Sequence, residues 1–205
     1  MGKSNAIPSG LLYHNFNIIQ LNKTRNSSNI ILTPRAVGET KKPALAGDII
    51  TMAGSYTQIY IQVVFAVKFR ENLIAKEWRE ELHKYISGII KAKGHKSIIV
   101  NGVADHVHCL IGLKPAMAIS DLVRDIKNNS SKFINENNFV KGKFRWQEGY
   151  GAFSYSQSAV ENVYNYILNQ EKHHESKTFK QEYEEFLKEF YIDYKPEYLF
   201  DWIEE

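Results

Sequence analysis

The sequence predicts an α+β fold of the ferredoxin-like type, a β-α-β-β-α-β order that forms one four-stranded antiparallel sheet, with additional C-terminal helices. Three observations predict it. Runs rich in β-branched and aromatic residues have the length of strands. Segments between them repeat apolar residues at i, i+3 and i+4, which is typical of amphipathic helices. Further helical sequence follows the sixth element, so we expect helices beyond the basic fold.

The first three elements are a strand, a helix and a strand. Residues 56–67 contain Tyr-Thr-Gln-Ile-Tyr-Ile-Gln-Val-Val-Phe-Ala-Val, which predicts a strand. Lys76 to Lys93 follows as an amphipathic helix, and Gly94 stands where a helix stop is expected. Lys96 to Val103 then predicts the second strand.

The remaining elements begin with the strand from Asp105 to Ile111, an apolar run between Gly102 and Gly112. In the predicted fold the first and third strands form the central pair, so this third strand lies in the middle of the sheet. The later elements are a helix capped by Ser120 and reaching about Asn138, a strand at Gly149–Ser154, a helix from Ala159 to about Glu175, and a helix around Phe179–Tyr191.

Residues 1–51 differ from the rest of the chain because they have no sustained hydrophobic period and because Pro34 and Pro43 interrupt any regular element. We expect this segment to be a poorly ordered, dispensable extension. The globular domain is predicted to span residues 52–205 and to end in an acidic, aromatic tail.

Charge is distributed unevenly along the chain. Residues 1–51 carry six basic and two acidic residues, residues 52–157 carry fifteen and nine, and residues 158–205 carry five and twelve. The basic middle segment suits a phosphate-bearing partner, although scattered solvated lysines would give the same count.

Two classes of protein are excluded by composition. No apolar run approaches the roughly 18 residues of a membrane span, and no signal peptide is evident. The single cysteine, Cys109, excludes an intramolecular disulfide framework and fits a reducing cytoplasm. We expect it to be a small core residue on the strand face opposite the histidines.

Two histidines lie one residue apart on the third strand. Side chains alternate across a strand, so His106 and His108 share one face with Leu110. Two neighbouring imidazoles can reach a single cation. An isolated pair of this kind is more often two hydrogen-bonded histidines in or near a core.

The helix predicted from Ala159 carries a second set of functional groups. At about 100° per residue, Gln170 lies within about 40° of Tyr166 and His173 within about 20°, whereas Tyr164 points about 160° away. Tyr166 also fits the apolar stripe of this helix, where tyrosine is common. A phenol has a reference pKa of about 10, and a nearby cation would favour its phenolate and activate it as a nucleophile.

These motifs resemble a known family. His106-Val107-His108 matches the His-hydrophobic-His (HUH) motif, and the segment from Tyr166 to Gln170 matches the Tyr-x-x-x-Gln motif, of single-tyrosine HUH transposases. Residues 146–154 and 169–174 are similar to the insertion-sequence-two-hundred type and to its relatives associated with repetitive extragenic palindromes. The resemblance covers about Met52 to Trp202.

The resemblance implies a DNA transposase that cuts and rejoins single-stranded DNA at hairpin-bearing element ends, through a covalent 5′-phosphotyrosine intermediate. It implies a cytoplasmic homodimer that uses Mg²⁺ or Mn²⁺. By motif match, His106, His108 and Gln170 are the metal ligands and Tyr166 is the nucleophile, in a site built within one subunit or across two. His173 is a further candidate ligand by helix geometry.

Side chains for holding DNA come from the basic middle segment. The candidates for phosphate contacts are Lys68, Arg70, Lys127, Lys132, Lys141, Lys143 and Arg145, and the candidates for base stacking are Trp146 and Tyr150.

Two other functions remain open at this level. The first is a catalytically inactive or host-adopted ferredoxin-like protein that binds nucleic acid and whose histidine pair is structural. The second is a metal-dependent nuclease that activates water instead of tyrosine. Only the transposase reaction would leave DNA covalently attached to Tyr166.

Overall fold

The predicted sheet forms in the computed structural model of the protein, which describes residues 56–195 and residue 199. The extension predicted at residues 1–51, the domain start at Met52 and the end of the acidic tail lie outside the described residues. Within residues 56–195, no helix has both the length and the apolar composition needed to cross a bilayer.

The regular elements follow the predicted order, and short 3₁₀ turns at Lys68–Arg70 and Gln157–Ala159 join some of them. The strands are β1 (Ile59–Ala66), β2 (Lys96–Gly102), β3 (His106–Leu113) and β4 (Gly151–Tyr155), and the α-helices are α1 (Lys76–Ala92), α2 (Ile119–Glu136), α3 (Val160–Leu168), α4 (Gln170–His174) and α5 (Phe179–Glu189).

The sheet has the strand order β2-β3-β1-β4, and each pairing is antiparallel. The predicted α+β, ferredoxin-like arrangement is therefore confirmed, with β1 and β3 as its central strands. In the register of this pair, His108 lies opposite Val64 and His106 lies opposite Ala66. The two histidines thus lie on a central strand that is paired on both sides.

Helices cover both faces of the sheet. One face carries Phe65, Val107 and Cys109 and packs in the core with residues of α1 and α2. Val64 and Ala66 lie on the opposite face and pack with residues of α5. The additional C-terminal helices therefore close the side of the sheet that bears the histidines. Cys109 is fully buried, as predicted, and burial raises the pKa of its thiol.

Two predictions about helix ends are wrong. Ser120 does not cap the second long helix, which begins at Ile119 after Ala118, a residue whose side chain makes no capping bond. The helix predicted from Ala159 to Glu175 is broken at Asn169, where φ is −97° and ψ is 23°.

A side chain from the sheet explains the break at Asn169. The amide nitrogen of Asn101, in β2, donates to the carbonyl oxygens of Ile167 at 2.8 Å and of Leu168 at 3.1 Å. Those carbonyls would accept the next i→i−4 bonds if the helix continued. Because Asn101 comes from a distant part of the chain, helical periodicity alone cannot predict the break.

Gly102 is predicted to be indispensable for the hairpin that leads into β3. A Cβ atom at this position would lie 2.2 Å from the carbonyl oxygen of His106 and 2.9 Å from Cα of Val107. Both are backbone atoms, so a larger residue must displace the start of the histidine strand. We expect Gly102→Ala to lower the free energy of unfolding by about 3 kcal/mol, the upper part of the range for overpacking.

The control for this change is Gly88→Ala, in the middle of α1, where an added Cβ meets nothing within 4 Å. It should raise stability by up to about 1 kcal/mol, because alanine loses less backbone entropy than glycine in a helix. Urea unfolding of the two variants checks the difference. Equal stability of the two variants would contradict the close approach at Gly102.

Candidate active site

The paired histidines lie fully buried on the central strand, beneath α4 and α5. The His106 and His108 side chains are both 0% exposed, and their ring centroids are 5.0 Å apart. The sheet therefore presents two imidazoles side by side, as alternation along the strand predicts.

Each imidazole is oriented by a bond to its Nδ1 atom. Nδ1 of His106 lies 2.7 Å from a carboxylate oxygen of Asp105. Nδ1 of His108 lies 2.8 Å from the side-chain amide nitrogen of Gln62, whose amide oxygen accepts a 2.9 Å bond from the Tyr155 hydroxyl. Where Nδ1 donates such a bond, as in His106, the bond fixes ring orientation and tautomer and leaves the Nε2 lone pair directed into the site. The Gln62 amide nitrogen can only donate, so Nδ1 of His108 accepts and the neutral ring carries its proton on Nε2. Nε2 of His108 becomes a ligand atom when the Gln62 amide turns over and presents its oxygen to Nδ1.

The broken helix brings the tyrosine and the glutamine to the same place within one protomer. The amide oxygen of Gln170, the first residue of α4, lies 3.4 Å from Nε2 of His106. The ring of Tyr166, near the end of α3, has its centroid 6.3 Å from that of His108. These four side chains therefore lie together within one chain.

Glu182 and His174 also belong to this cluster, and neither is part of the motifs recognised in the sequence. Glu182, on α5, is 2% exposed. One of its carboxylate oxygens, Oε2, lies 3.5 Å from Nε2 of both His106 and His108 and 3.4 Å from Nε2 of His174. A single carboxylate oxygen is therefore surrounded by three imidazole nitrogens.

The second oxygen of Glu182, Oε1, accepts hydrogen bonds from the Tyr166 hydroxyl and, at 3.0 Å, from the side-chain amide of Gln170. One signal in the sequence could have found Glu182. It occupies the apolar stripe of α5 together with Phe179, Tyr183 and Phe186, and an acidic residue on a buried helix face needs a partner.

His174 and His173 have different positions. Nε2 of His174 lies 3.0 Å from the amide oxygen of Gln170. Nε2 of His173 lies 3.3 Å from the Tyr166 hydroxyl and 3.8 Å from the Glu182 carboxylate. His174, rather than the predicted candidate His173, therefore faces the other possible ligands, whereas His173 lies beside the tyrosine.

The electrostatics of the site centre on Glu182. Burial alone would raise the pKa of its carboxyl, but the surrounding imidazoles of His108, His174 and His106 outweigh burial and hold that pKa well below its usual range. Burial lowers the pKa of His174, but Glu182 more than compensates and raises it. The carboxylate form of Glu182 and the charged form of His174 therefore favour each other.

Tyr166 has the opposite shift from the one a nucleophilic phenol requires. Burial, and then the adjacent Glu182 carboxylate, raise the pKa of its hydroxyl above the ordinary value of 10.0. The phenol is thus held protonated in this arrangement. Phenolate formation, expected from a neighbouring cation, requires a positive charge in the site that offsets Glu182.

The donor atoms in the cluster fit one divalent cation. Metal–ligand bonds of about 2.0–2.2 Å separate neighbouring ligands by about 2.8–3.1 Å in octahedral sites and by about 3.3–3.6 Å in tetrahedral sites. The oxygen–nitrogen separations described above range from 3.0 to 3.5 Å. In addition, Nε2 of His108 and Oε2 of Glu182 are buried and make no hydrogen bond among the described residues. Such atoms are those a cation would satisfy.

The residues predicted to contact DNA divide into exposed and buried groups. The backbone N–H of Lys68 donates to the carbonyl of Arg145 at 3.0 Å, which joins two of the basic segments. Arg70 ends the first 3₁₀ turn. The exposed basic side chains are Lys132, Lys141, Lys143 and Arg145.

Three predicted DNA contacts are engaged with the protein itself. Nζ of Lys127 donates to the carbonyls of Gln147 at 2.5 Å and Gly149 at 2.6 Å, and burial lowers its pKa to about 8. Tyr150 packs against the core. Trp146 is 8% exposed. Its indole ring packs against Phe65 and Phe144, and its N–H donates a hydrogen bond to the hydroxyl of Ser130.

Stacking of Trp146 on bases, as predicted, would require its ring to leave the core. Its ring takes part in the core on the α1 and α2 side of the sheet. Stacking on a base requires an accessible ring face, and a residue 8% exposed offers none in this arrangement.

Comparison with known proteins gives a consistent set of similarities. The family model "Transposase IS200 like" matches residues 55–170. The chain is 24% identical over 122 residues to the ISDra2 transposase TnpA of Deinococcus radiodurans, covering 57% of this chain and 87% of that protein. It is 25% identical over 129 residues to the transposase for insertion sequence element IS200 of Salmonella typhimurium, covering 60% of this chain and 84% of that protein.

Among solved structures, the chain is similar to a REP-associated tyrosine transposase bound to a REP hairpin, at 14% sequence identity and a TM-score of 0.45. The match covers 62% of this chain and 74% of that one. The region matched by the family model ends at Gln170, so it includes the histidine pair and Tyr166 but excludes His174 and Glu182.

Proposed function

The chain belongs to the IS200-like transposase family, and from this premise we propose that it cuts and rejoins single-stranded DNA at hairpin-bearing ends through a 5′-phosphotyrosine intermediate. The observation that carries the proposal is the position of Tyr166. Its hydroxyl shares one site with two imidazoles and a glutamine amide on the same protomer.

The residues proposed to hold the cation are His106, His108 and Gln170, with Mg²⁺ or Mn²⁺ as expected for the family. A divalent cation bound there would polarise the phosphoryl group and neutralise its developing charge. The 3.4 Å separation between Nε2 of His106 and the amide oxygen of Gln170 supports this assignment.

In the cleavage step, the Tyr166 oxygen forms a bond to phosphorus, and the bond between phosphorus and the 3′ oxygen of the preceding nucleotide breaks. The phenol proton passes to Glu182, whose Oε1 already accepts the Tyr166 hydroxyl hydrogen bond. The departing 3′ oxygen takes up a proton from solvent and becomes a 3′ hydroxyl. The products are a DNA 5′ end linked to Tyr166 and a free 3′ end.

Rejoining reverses the step. A 3′ hydroxyl attacks the phosphotyrosine and loses its proton to solvent, a phosphodiester forms, and the bond between phosphorus and the Tyr166 oxygen breaks. The Tyr166 oxygen regains its proton from Glu182. The phosphotyrosine link conserves the energy of the original phosphodiester, so the exchange needs no nucleotide triphosphate.

DNA would reach the site from the side of α4. His173 and His174, with side chains 19% and 12% exposed, form its partly open edge beside Tyr166. For the DNA path we retain the exposed Lys141, Lys143 and Arg145, which can contact phosphates without breaking internal bonds. We also propose the homodimer expected from the family, with each Tyr166 serving the histidine pair of its own protomer.

The test is a covalent-adduct assay on end-labelled single strands that carry candidate hairpins from the flanks of the coding region. The wild-type chain with Mn²⁺ should give a protein–DNA band that survives denaturing electrophoresis. The band should not form when EDTA is present during the reaction. The released fragment should carry a 3′ hydroxyl that a polymerase extends. Cleavage without an adduct would instead favour the nuclease that activates water.

A further inference from the structure

We propose that His174 and Glu182 bind the same cation as the histidine pair, which makes the site a three-imidazole, one-carboxylate site with a preference for a transition metal over Mg²⁺. The inference deepens the proposed function and rests on it for the presence of a cation. Both residues lie beyond the segment matched by the family model, which ends at Gln170.

The position of the Glu182 carboxylate supports its role as a metal ligand. Its Oε2 atom lies 3.4–3.5 Å from three imidazole Nε2 atoms and accepts no hydrogen bond from the described residues. This oxygen is therefore at the edge length of a metal coordination shell from each nitrogen. A carboxylate placed only to form an ion pair would be expected to accept a close, aligned hydrogen bond from one imidazole.

The tautomer of His174 supports its role as a metal ligand. Its Nδ1 lies 2.8 Å from the backbone carbonyl of Lys177, which can only accept a hydrogen bond. Nδ1 therefore carries the proton, and in the neutral ring Nε2 has a free lone pair. That lone pair points toward two oxygens, on Gln170 at 3.0 Å and on Glu182 at 3.4 Å, an arrangement that a cation between them would stabilise.

His106 is held in the same way, with Nδ1 against the Asp105 carboxylate at 2.7 Å. His106, His174 and Glu182 each offer one ligand atom, and the three atoms all lie within 4.8 Å of one another. Two imidazoles with oriented Nε2 atoms and one carboxylate oxygen therefore converge from three separate elements, β3, α4 and α5.

The type of ligand sets the expected metal. Imidazole nitrogen favours transition metals such as Mn²⁺, Co²⁺ and Zn²⁺ in order of increasing affinity, whereas Mg²⁺ favours oxygen ligands and water. Two imidazoles and an amide leave Mg²⁺ a plausible occupant. The third imidazole, from His174, adds another nitrogen ligand, which favours a transition metal over Mg²⁺. The Glu182 carboxylate adds the negative charge that the neutral glutamine amide lacks.

The test measures metal binding directly. We expect calorimetric titration of the full chain to give tighter binding of Mn²⁺ and Zn²⁺ than of Mg²⁺. Glu182→Gln and His174→Gln should each weaken Mn²⁺ and Zn²⁺ binding at least tenfold. The difference in affinity between these two metals and Mg²⁺ should become smaller. The control is Glu184→Gln, a change on the same helix, which should leave all three affinities unchanged. Unfolding curves recorded without metal separate loss of ligands from loss of structure.

A measurement on the unchanged protein guards against variants that fail to fold. Imidazole nitrogen NMR of the wild-type chain should show that Zn²⁺ shifts Nε2 of His174 together with Nε2 of His106 and His108. An unmoved His174 signal, or a Glu182→Gln variant with wild-type affinity, would overturn the inference.

The two levels of the proposal fail differently. If the wild type binds Mn²⁺ and forms the DNA adduct while both glutamine variants bind Mn²⁺ equally well, only the assignment of His174 and Glu182 is wrong. If the wild type neither binds these metals nor forms an adduct, the proposed function is wrong as well.

Discussion

Tyr166→Phe should eliminate the covalent DNA adduct and reduce strand cleavage by at least about a thousandfold, because the phenyl ring has no oxygen to attack phosphorus. The ring itself keeps its contacts with Phe186 and His173. The fold should therefore persist, with a loss of about 1 kcal/mol for the hydrogen bond to Glu182. Adduct formation and single-turnover cleavage on hairpin-bearing strands measure the effect.

The matched control is Tyr164→Phe, two residues earlier on α3, where the side chain is 37% exposed and points away from the site. It should retain wild-type adduct yield. Adduct formation by the Tyr166→Phe variant would mean that another residue attacks the DNA. Undiminished cleavage without an adduct would identify water as the nucleophile.

His108→Ala should weaken Mn²⁺ binding at least about a hundredfold, since it deletes one of the two imidazoles on β3. The covalent DNA adduct should be lost as well. The substitution should also destabilise the metal-free protein by about 3 kcal/mol, because Glu182 loses one of the groups that compensate its buried charge. Titration calorimetry with Mn²⁺ and chemical unfolding without metal measure the two effects separately.

His83→Ala provides the comparison for that variant. His83 is a buried imidazole on α1, 9% exposed, and its Nε2 makes no hydrogen bond among the described residues. Its replacement should cost stability through lost packing and leave Mn²⁺ affinity unchanged. If the two variants lose Mn²⁺ binding to the same extent, general destabilisation rather than a missing ligand is responsible.

The sheet could be predicted from the sequence because its signals are local. The six residues from Ile61 to Ala66 are buried on both sides of β1, and the β-branched and aromatic residues that make this possible are contiguous in the chain. The placement of His106 and His108 on one face follows from alternation alone. These features need no knowledge of distant partners.

The features that the sequence did not predict depend on distant partners. The break at Asn169 is caused by Asn101, which precedes it by more than sixty residues and reaches it only in the folded sheet. Glu182 lies in a strongly acidic segment, so its charge looked like that of its solvated neighbours. Its place on the apolar stripe of α5 indicates burial, but the imidazoles that it meets there come from β3 and α4, which no periodicity within α5 specifies.

The same limit applies to the DNA contacts. Charge and ring size predict DNA contacts for Lys127 and Trp146, but the Lys127 side chain bonds two carbonyls and the Trp146 ring fills part of the core. Residue type predicts what a side chain can do, whereas burial decides which groups are available to do it.

Because α5 packs on the histidine face of the sheet, the smallest part of the chain that can fold and function extends beyond the family-model boundary at Gln170. Motif matching stops at Gln170, but a shortened chain that ended there would leave Val64 and Phe153 uncovered in water and remove the acid next to the tyrosine. Truncated versions designed on the family boundary should therefore aggregate or misfold, and activity lost in them would say nothing about catalysis. The minimal enzyme includes at least residues 56–189.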